Sequence, residues 1–345
     1  MQALRSSLTA LALCALASLT LLERAISAPR DLRAGIGEQT APVPPSPLRL
    51  AQAPGAIRKP AKTRLVEFES SPFPFDGVDP RTGQPFINVD ETGRRGRVTR
   101  RGIQWENQTY SDQRVLLHIP EGFNAHRPAV IVVFFHGHRA TIARDVLTRQ
   151  KVADQISQSH ANAVLVAPQF AVNAADSSAG IFWEPELFRF FLEETSEQLA
   201  LLYGEPGTTR IFDRMPVIII GYSGGYSPTA WAIYHSNSNM RIRGVVLLDA
   251  LYGELDKFER WIKSDRSRFF VSAYLDSTRV GNLELERILK NENIRIRTSF
   301  EPKLRPGSVI FIAGGPDRNH TDFVTRAWTR YPIADLLNRL PEYRR

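Results

Sequence analysis

Val217-Ile218-Ile219-Ile220-Gly221-Tyr222-Ser223-Gly224-Gly225 is the stretch on which the reading of this chain turns. Four consecutive β-branched apolar residues predict a strand buried on both faces. The glycine-flanked serine that follows, placed before a helical pattern, predicts a sharp strand-to-helix turn. Such a turn forces its central residue into an unusual backbone conformation, and Gly221 and Gly225 let the flanking chains approach closely. It presents the Ser223 hydroxyl at the strand's carboxyl end, with the Gly224 amide facing the same space. A G-x-S-x-G match alone is common in glycine-rich connections; the strand before it gives this one weight.

Outward from this turn, short apolar runs alternate with helical patterns. Strands are expected at Val115–Ile119, Val130–Phe135, Val164–Ala167, Val217–Ile220, Val245–Leu248, Phe269–Leu275 and Val309–Ile312. Helices are expected at about 144–158, 186–203, 226–236, 254–264, 281–291 and 322–340, with Pro332 breaking the last. Phe188, Leu192, Leu199 and Leu202 form the clearest helical stripe. Leu65 to Phe86, with its Pro and Gly, reads as an antiparallel or irregular start to the sheet. The alternation predicts an α/β domain: a mostly parallel central sheet with helices on both faces.

In open sheets of this kind, reactive groups gather at the carboxyl ends of the strands. Those ends supply His136-Gly137-His138 after Phe135, Ser223 after the elbow strand, Asp249 after Leu248, Asp276 after Leu275, and Asn319-His320 beyond Ile312. With the elbow, the early His-Gly turn, the order Ser, Asp, His and the lone late histidine, the chain resembles the α/β-hydrolase superfamily from about Leu65 to its end. The resemblance implies the α/β-hydrolase fold and a Ser-His-Asp hydrolase without cofactor. It does not identify a substrate.

Serine needs a base within hydrogen-bond reach, and the base needs a third group to hold its tautomer. His320 is assigned as base. His118 lies within a strand, His126 in a loop, and His160 and His235 near helix ends. Asp249 is preferred over Asp276 as the acid, although Asp276 has the more usual superfamily position. Asp249 ends the apolar run Val245-Val246-Leu247-Leu248, so its carboxylate needs a specific partner, whereas Ser277-Thr278-Arg279 make Asp276 readable as a turn or capping residue. The oxyanion donors are expected to be the amides of Gly224 and His138. His136 and His138 alternate as metal ligands do, but no third ligand stands nearby, so no metal is assigned. The loop from Phe170 to Pro185 should overhang the site, with Trp183, Tyr222, Tyr226 and Tyr252 as pocket candidates.

The termini and composition set the context. Residues 1–27 have Arg5, an apolar core from Leu8 to Leu22, and Ala25 and Ser27 before Ala28, the pattern of a cleaved signal peptide. A secreted or periplasmic location is expected, with no transmembrane segment in the mature chain. Cys14, the only cysteine of 345 residues, lies inside that core, which excludes a Cys nucleophile, a Cys-ligated zinc or an iron-sulfur cluster from the mature protein. Residues 28–62, with Pro42, Pro44, Pro45 and Pro47, read as a disordered linker and 63–345 as one domain. The net charge of +8 favours anionic neighbours such as an envelope surface. Arg94, Arg95, Arg97, Arg100 and Arg101 cluster in what reads as a solvated, Gly-containing loop without a nucleic-acid motif. The expected partner is a small-molecule or polymeric ester, or an amide if the protein is a peptidase or amidase. The reading from another class is a non-catalytic envelope-binding protein that keeps the fold.

Overall fold

The structure, a computed structural model, describes residues 59–236 and 241–345. The segment expected to be a signal peptide, 1–27, with Cys14, and the expected linker as far as residue 58 lie outside the described residues. Nine strands make the central sheet: β1 (Lys62–Glu67), β2 (Arg114–Ile119), β3 (Val130–Phe135), β4 (Ala163–Pro168), β5 (Val217–Tyr222), β6 (Ile242–Leu248), β7 (Phe269–Tyr274), β8 (Ile296–Arg297) and β9 (Val309–Ala313). Their order is β1-β2-β4-β3-β5-β6-β7-β9-β8. β2 is antiparallel to both of its neighbours and every other ladder is parallel.

The apolar runs become central strands because each strand serves two cores. Ile131, Val133 and Phe135 of β3 enter one cluster with Val217 and Ile219 of β5. Val130, Val132 and Phe134 enter the other with Ile218 and Ile220. Alternate side chains point to opposite faces, so a strand covered on both sides must be apolar throughout.

Among the described residues, seven α-helices of six residues or more cover these faces: α1 (Val152–Gln158), α2 (Leu187–Tyr203), α3 (Thr209–Arg214), α4 (Tyr226–Tyr234), α5 (Leu255–Ser264), α6 (Asp276–Asn291) and α7 (Pro332–Asn338). On α2, Phe188, Leu192, Leu199 and Leu202 are all buried in the first core. Gly204 closes that helix at φ +88°, its N–H bonded to Ala200 O and Leu201 O. α1 and α7 pack on the opposite face, where Val152, Ile156, Ile333 and Leu337 are buried.

Several boundaries differ from expectation for local reasons. The helix expected at 144–158 is a π-helical segment, Ile142–Arg149, followed by α1; Lys151, at φ +51°, separates them. β7 stops at Tyr274, because the Leu275 N–H leaves the ladder for the Asp249 carboxylate. α6 begins at Asp276, earlier than 281, and Gly281 is needed inside it because a Cβ there would lie 2.5 Å from Leu251 O. The helix expected at 322–340 is divided as Pro332 predicted: a one-turn helix at Asp322–Thr325 comes first, and Pro332 opens α7 as its first residue, where the missing N–H has no cost. Folded contacts also begin a few residues before the boundary expected at 62–63: Lys62 opens β1 and the Lys59 ammonium lies 3.8 Å from the centre of the Tyr203 ring.

The arginine-rich stretch is not a solvated loop. Val89–Glu91, Arg94–Thr99 and Gly102–Trp105 form a small antiparallel sheet. Asp79 fastens it to the body: its buried carboxylate accepts from Arg81 and Arg97, both at 2.7 Å. Burial opposes the charge, but the two guanidinium groups outweigh it and hold Asp79 at about 2.

Candidate active site

β5 ends at Tyr222 and its chain turns through Ser223–Gly225 directly into α4. Ser223 sits at φ +53°, in the left-handed region that a side chain occupies only at a cost. The turn closes because glycines remove the obstructions. A Cβ on Gly221 would meet Thr229 Oγ1 at 2.6 Å, and one on Gly225 would meet Phe135 O at 2.4 Å. Thr229 Oγ1 donates to Gly225 O at 2.7 Å and ties the first turn of α4 to the elbow.

The sheet's register brings the remaining groups to the same level. Gly221 pairs with Phe135 and Tyr222 with Leu248, so the chains leaving β3 and β6 flank Ser223. His320, on the loop beyond β9, has Nε2 2.7 Å from Ser223 Oγ and Nδ1 2.6 Å from Asp249 Oδ2. An ionised carboxylate only accepts, so Nδ1 carries the proton, and Nε2 is left to accept from the Ser223 hydroxyl. Tyr222 fixes the ring from one side: it stacks on the imidazole at 5.0 Å and 25°, and its hydroxyl donates to His320 O at 3.5 Å.

Asp249 is fully buried and, like Ser223, left-handed, at φ +45°. It is richly supplied with donors. Thr278 Oγ1 donates to Oδ1 at 2.5 Å, Leu275 N to Oδ1 at 3.0 Å and Ser277 Oγ to Oδ2 at 3.0 Å. Burial pushes the carboxyl upward, but the bonds from His320, Thr278 and Leu275 prevail and hold it below the usual carboxylate range. The surroundings are therefore less apolar than the sequence suggested. Ser277 and Thr278, read as partners for Asp276, bond to Asp249 instead. The Asp276 side chain is 96% exposed, with Arg279 3.5 Å away, and takes no part in the constellation.

The chain after β3 passes close over the serine. A Cβ on Gly137 would lie 2.7 Å from Ser223 Cβ, and one on Gly224 would lie 2.4 Å from His138 Cδ2. The two residues expected to supply oxyanion donors, Gly224 and His138, are thus neighbours at the serine. Burial keeps the His136 ring neutral, at about 4: Phe170 N donates to its Nε2 at 2.9 Å and its Nδ1 donates to Gly137 O at 2.8 Å. His138 Nε2 pairs with Ser177 Oγ at 2.6 Å. The two rings are engaged with different partners, and no cluster of three metal-ligating side chains occurs among the described residues.

A cavity of about 700 Å³ opens over Ser223 and His320, lined also by Gly137, His138 and Tyr222. A second, of about 670 Å³, adjoins it at His138 and Ala175 and is bordered by Tyr226. Of the other aromatic candidates, Trp183 is buried against Phe75 and Phe86, and Tyr252 packs on Tyr226 outside the main cavity. Sequence reading missed the donors around Asp249, the Tyr222 stack and Ser177. The run Ser277-Thr278 directly after a strand was the available signal for the first of these.

No protein-family model matches the chain, and no curated protein matches its sequence. Similar solved structures include the feruloyl esterase module of Clostridium thermocellum, 12% identical with a TM-score of 0.42 over 79% of this chain and 96% of that one. A cold-adapted esterase from an Arctic intertidal metagenomic library is 10% identical, with a TM-score of 0.36 over 84% of this chain and all of that one. A hyperthermophilic esterase of Pyrobaculum calidifontis is 11% identical, with a TM-score of 0.33 over 66% and 76% of the two chains. On this chain's own features, the nine-stranded sheet with one internal reversed strand and the elbow between β5 and α4, the fold is that of an α/β-hydrolase.

Proposed function

We propose that the protein is a serine hydrolase acting on carboxylic esters through an acyl-enzyme on Ser223, and that residues 1–27 direct it to the periplasm or the exterior. The observation that carries the reading is the series of bonds from Ser223 through His320 to a carboxylate held ionised. In this mechanism Ser223 Oγ attacks the ester carbonyl while its proton passes to His320 Nε2. Asp249 keeps the Nδ1 proton in place and stabilises the imidazolium. The carbonyl oxygen, now negative, is received by the amides of Gly224 and His138, each such donor being worth about 3 kcal/mol in the transition state. Collapse breaks the ester C–O bond, and His320 returns the proton to the departing alcohol oxygen. Water then gives a proton to His320 and attacks the acyl carbon; collapse breaks the acyl C–Oγ bond, His320 returns the proton to Ser223 Oγ, and the acid leaves.

A fluorophosphonate probe tests this directly. The wild type is expected to be labelled at Ser223 and to hydrolyse 4-nitrophenyl hexanoate. Ser223→Ala should lose labelling and at least about 10⁴-fold in turnover. Turnover by the alanine variant within tenfold of wild type refutes the assignment. Paired rates on an ester and its matched amide separate esterase from amidase.

A further inference from the structure

The five clustered arginines do not share one environment. Arg94 stacks on Trp105, Arg95 pairs with Asp76 and Glu106, and Arg97 is committed to Asp79. Arg100 and Arg101 form the tip between the second and third strands of the small sheet. There the turn is held by Thr99 Oγ1, which donates to Gly102 O at 2.8 Å, and by Gly102 at φ +104°. Arg101 reaches the cavity over Ser223. Arg139, left-handed at φ +56° with its N–H bonded to Ala174 O at 2.7 Å, lines the same cavity from the segment that follows β3. Both are exposed, and among the described residues neither guanidinium has an ion-pair or hydrogen-bond partner. The cavity also holds Arg149 and Asp145, but these are bonded to each other at 2.9 Å. Burial disfavours the charge on His138, Asp176 favours it, and Arg101 and Arg139 are near enough to add to the effect of burial.

Two unpaired, fixed-fork cations at one cavity set a positive field where a substrate must lie, and a guanidinium matches an oxyacid group through two parallel hydrogen bonds. We infer that Arg101 and Arg139 are specificity residues that bind a negatively charged oxyacid group, carboxylate or phosphate, on the substrate whose ester bond Ser223 attacks. The inference rests on the hydrolase reading above and narrows its substrate class to anionic esters.

Two matched pairs test it. On the acyl side, mono(4-nitrophenyl) adipate is compared with 4-nitrophenyl hexanoate; on the alcohol side, 3-carboxy-4-nitrophenyl butyrate is compared with 4-nitrophenyl butyrate. One of the two anionic esters should be favoured in kcat/KM. That preference should fall about tenfold to hundredfold in R101Q/R139Q, in part in R101K/R139K, and with added salt. Competition by adipate or by inorganic phosphate identifies which oxyacid the site prefers. A wild type that favours neither anionic ester, or a preference that survives R101Q/R139Q, overturns the inference. If the wild type hydrolyses no ester and escapes the fluorophosphonate, the hydrolase reading has failed instead. The arginine site is then decided by calorimetry of adipate and phosphate on Ser223→Ala with and without the double substitution, and equal binding by both, or binding by neither, overturns it.

Discussion

Asp249→Asn separates orientation from burial. The substitution keeps shape and tolerates the left-handed backbone, but it replaces one acceptor oxygen by a donor NH₂. The structure dictates which. Oδ1 accepts from the Leu275 N–H at 3.0 Å, a backbone donor that cannot reverse, and from Thr278 at 2.5 Å. The amide oxygen must stay there, so the NH₂ faces His320 Nδ1, now 2.6 Å from Oδ2. Two donors cannot meet, so the imidazole moves its proton to Nε2 and presents a hydrogen to Ser223 where it needs a lone pair. The expected loss is about 10⁴-fold in kcat, equivalent to about 5.5 kcal/mol of barrier. Loss of charge from the bonds to Leu275, Ser277 and Thr278 should cost about 1–3 kcal/mol of stability, a fall of several degrees in Tm. Asp276→Asn is the control: its exposed carboxylate should leave Tm nearly unchanged and turnover within about twofold. The assay is hydrolysis of 4-nitrophenyl hexanoate beside a thermal melt. Asp249→Asn within tenfold of wild type, or Asp276→Asn as the crippled variant, refutes the reasoning.

Gly137→Ala should cut turnover by at least tenfold with a small change in Tm, because the new methyl would stand 2.7 Å from Ser223 Cβ and 3.2 Å from its Oγ; steady-state kinetics and a melt check it. Asp79→Asn should loosen the small sheet, seen as faster hydrogen exchange at residues 89–105, since it weakens the attachment to both Arg81 and Arg97. His136 and His118 are held neutral by burial down to about 4, whereas in the unfolded chain they charge near the ordinary histidine value of about 6.5. The unfolded state therefore takes up protons first as pH falls, so stability should be steady above about 6.5 and decline between there and about 4, by about 3 kcal/mol for each ring. Urea unfolding at pH 7.5 and 4.5 measures it, and equal free energies at the two would contradict it.

What was legible in the sequence follows from how many neighbours each segment answers to. Val130–Phe135 and Val217–Ile220 read correctly because both faces meet a core, leaving an uninterrupted apolar run. Arg94–Thr99 did not, because a small exposed sheet needs no such run and this central strand carries arginine at 94, 95 and 97. The elbow announced Ser223 because its glycines answer local demands of the turn. The partners of Asp249 were hidden because Leu275, Ser277 and Thr278 reach it only after β6 and β7 align. The choice of Asp249 over Asp276 turned on burial, which the apolar run before it revealed; the donor set that makes burial tolerable was not visible.

Ser223 and Asp249 both bend the backbone to positive φ, at +53° and +45°. Each such residue stores on the order of 1–2 kcal/mol that the surrounding packing must hold in place. At Asp249 the carboxylate's bonds offset the strain, but at Ser223 a chain shaped only by the demand to fold would put glycine and relax. Ser223→Gly should accordingly leave a protein as stable as the parent or more so, without the hydroxyl that the proposed mechanism uses, and on that proposal the strain is a trade of robustness for a poised side chain.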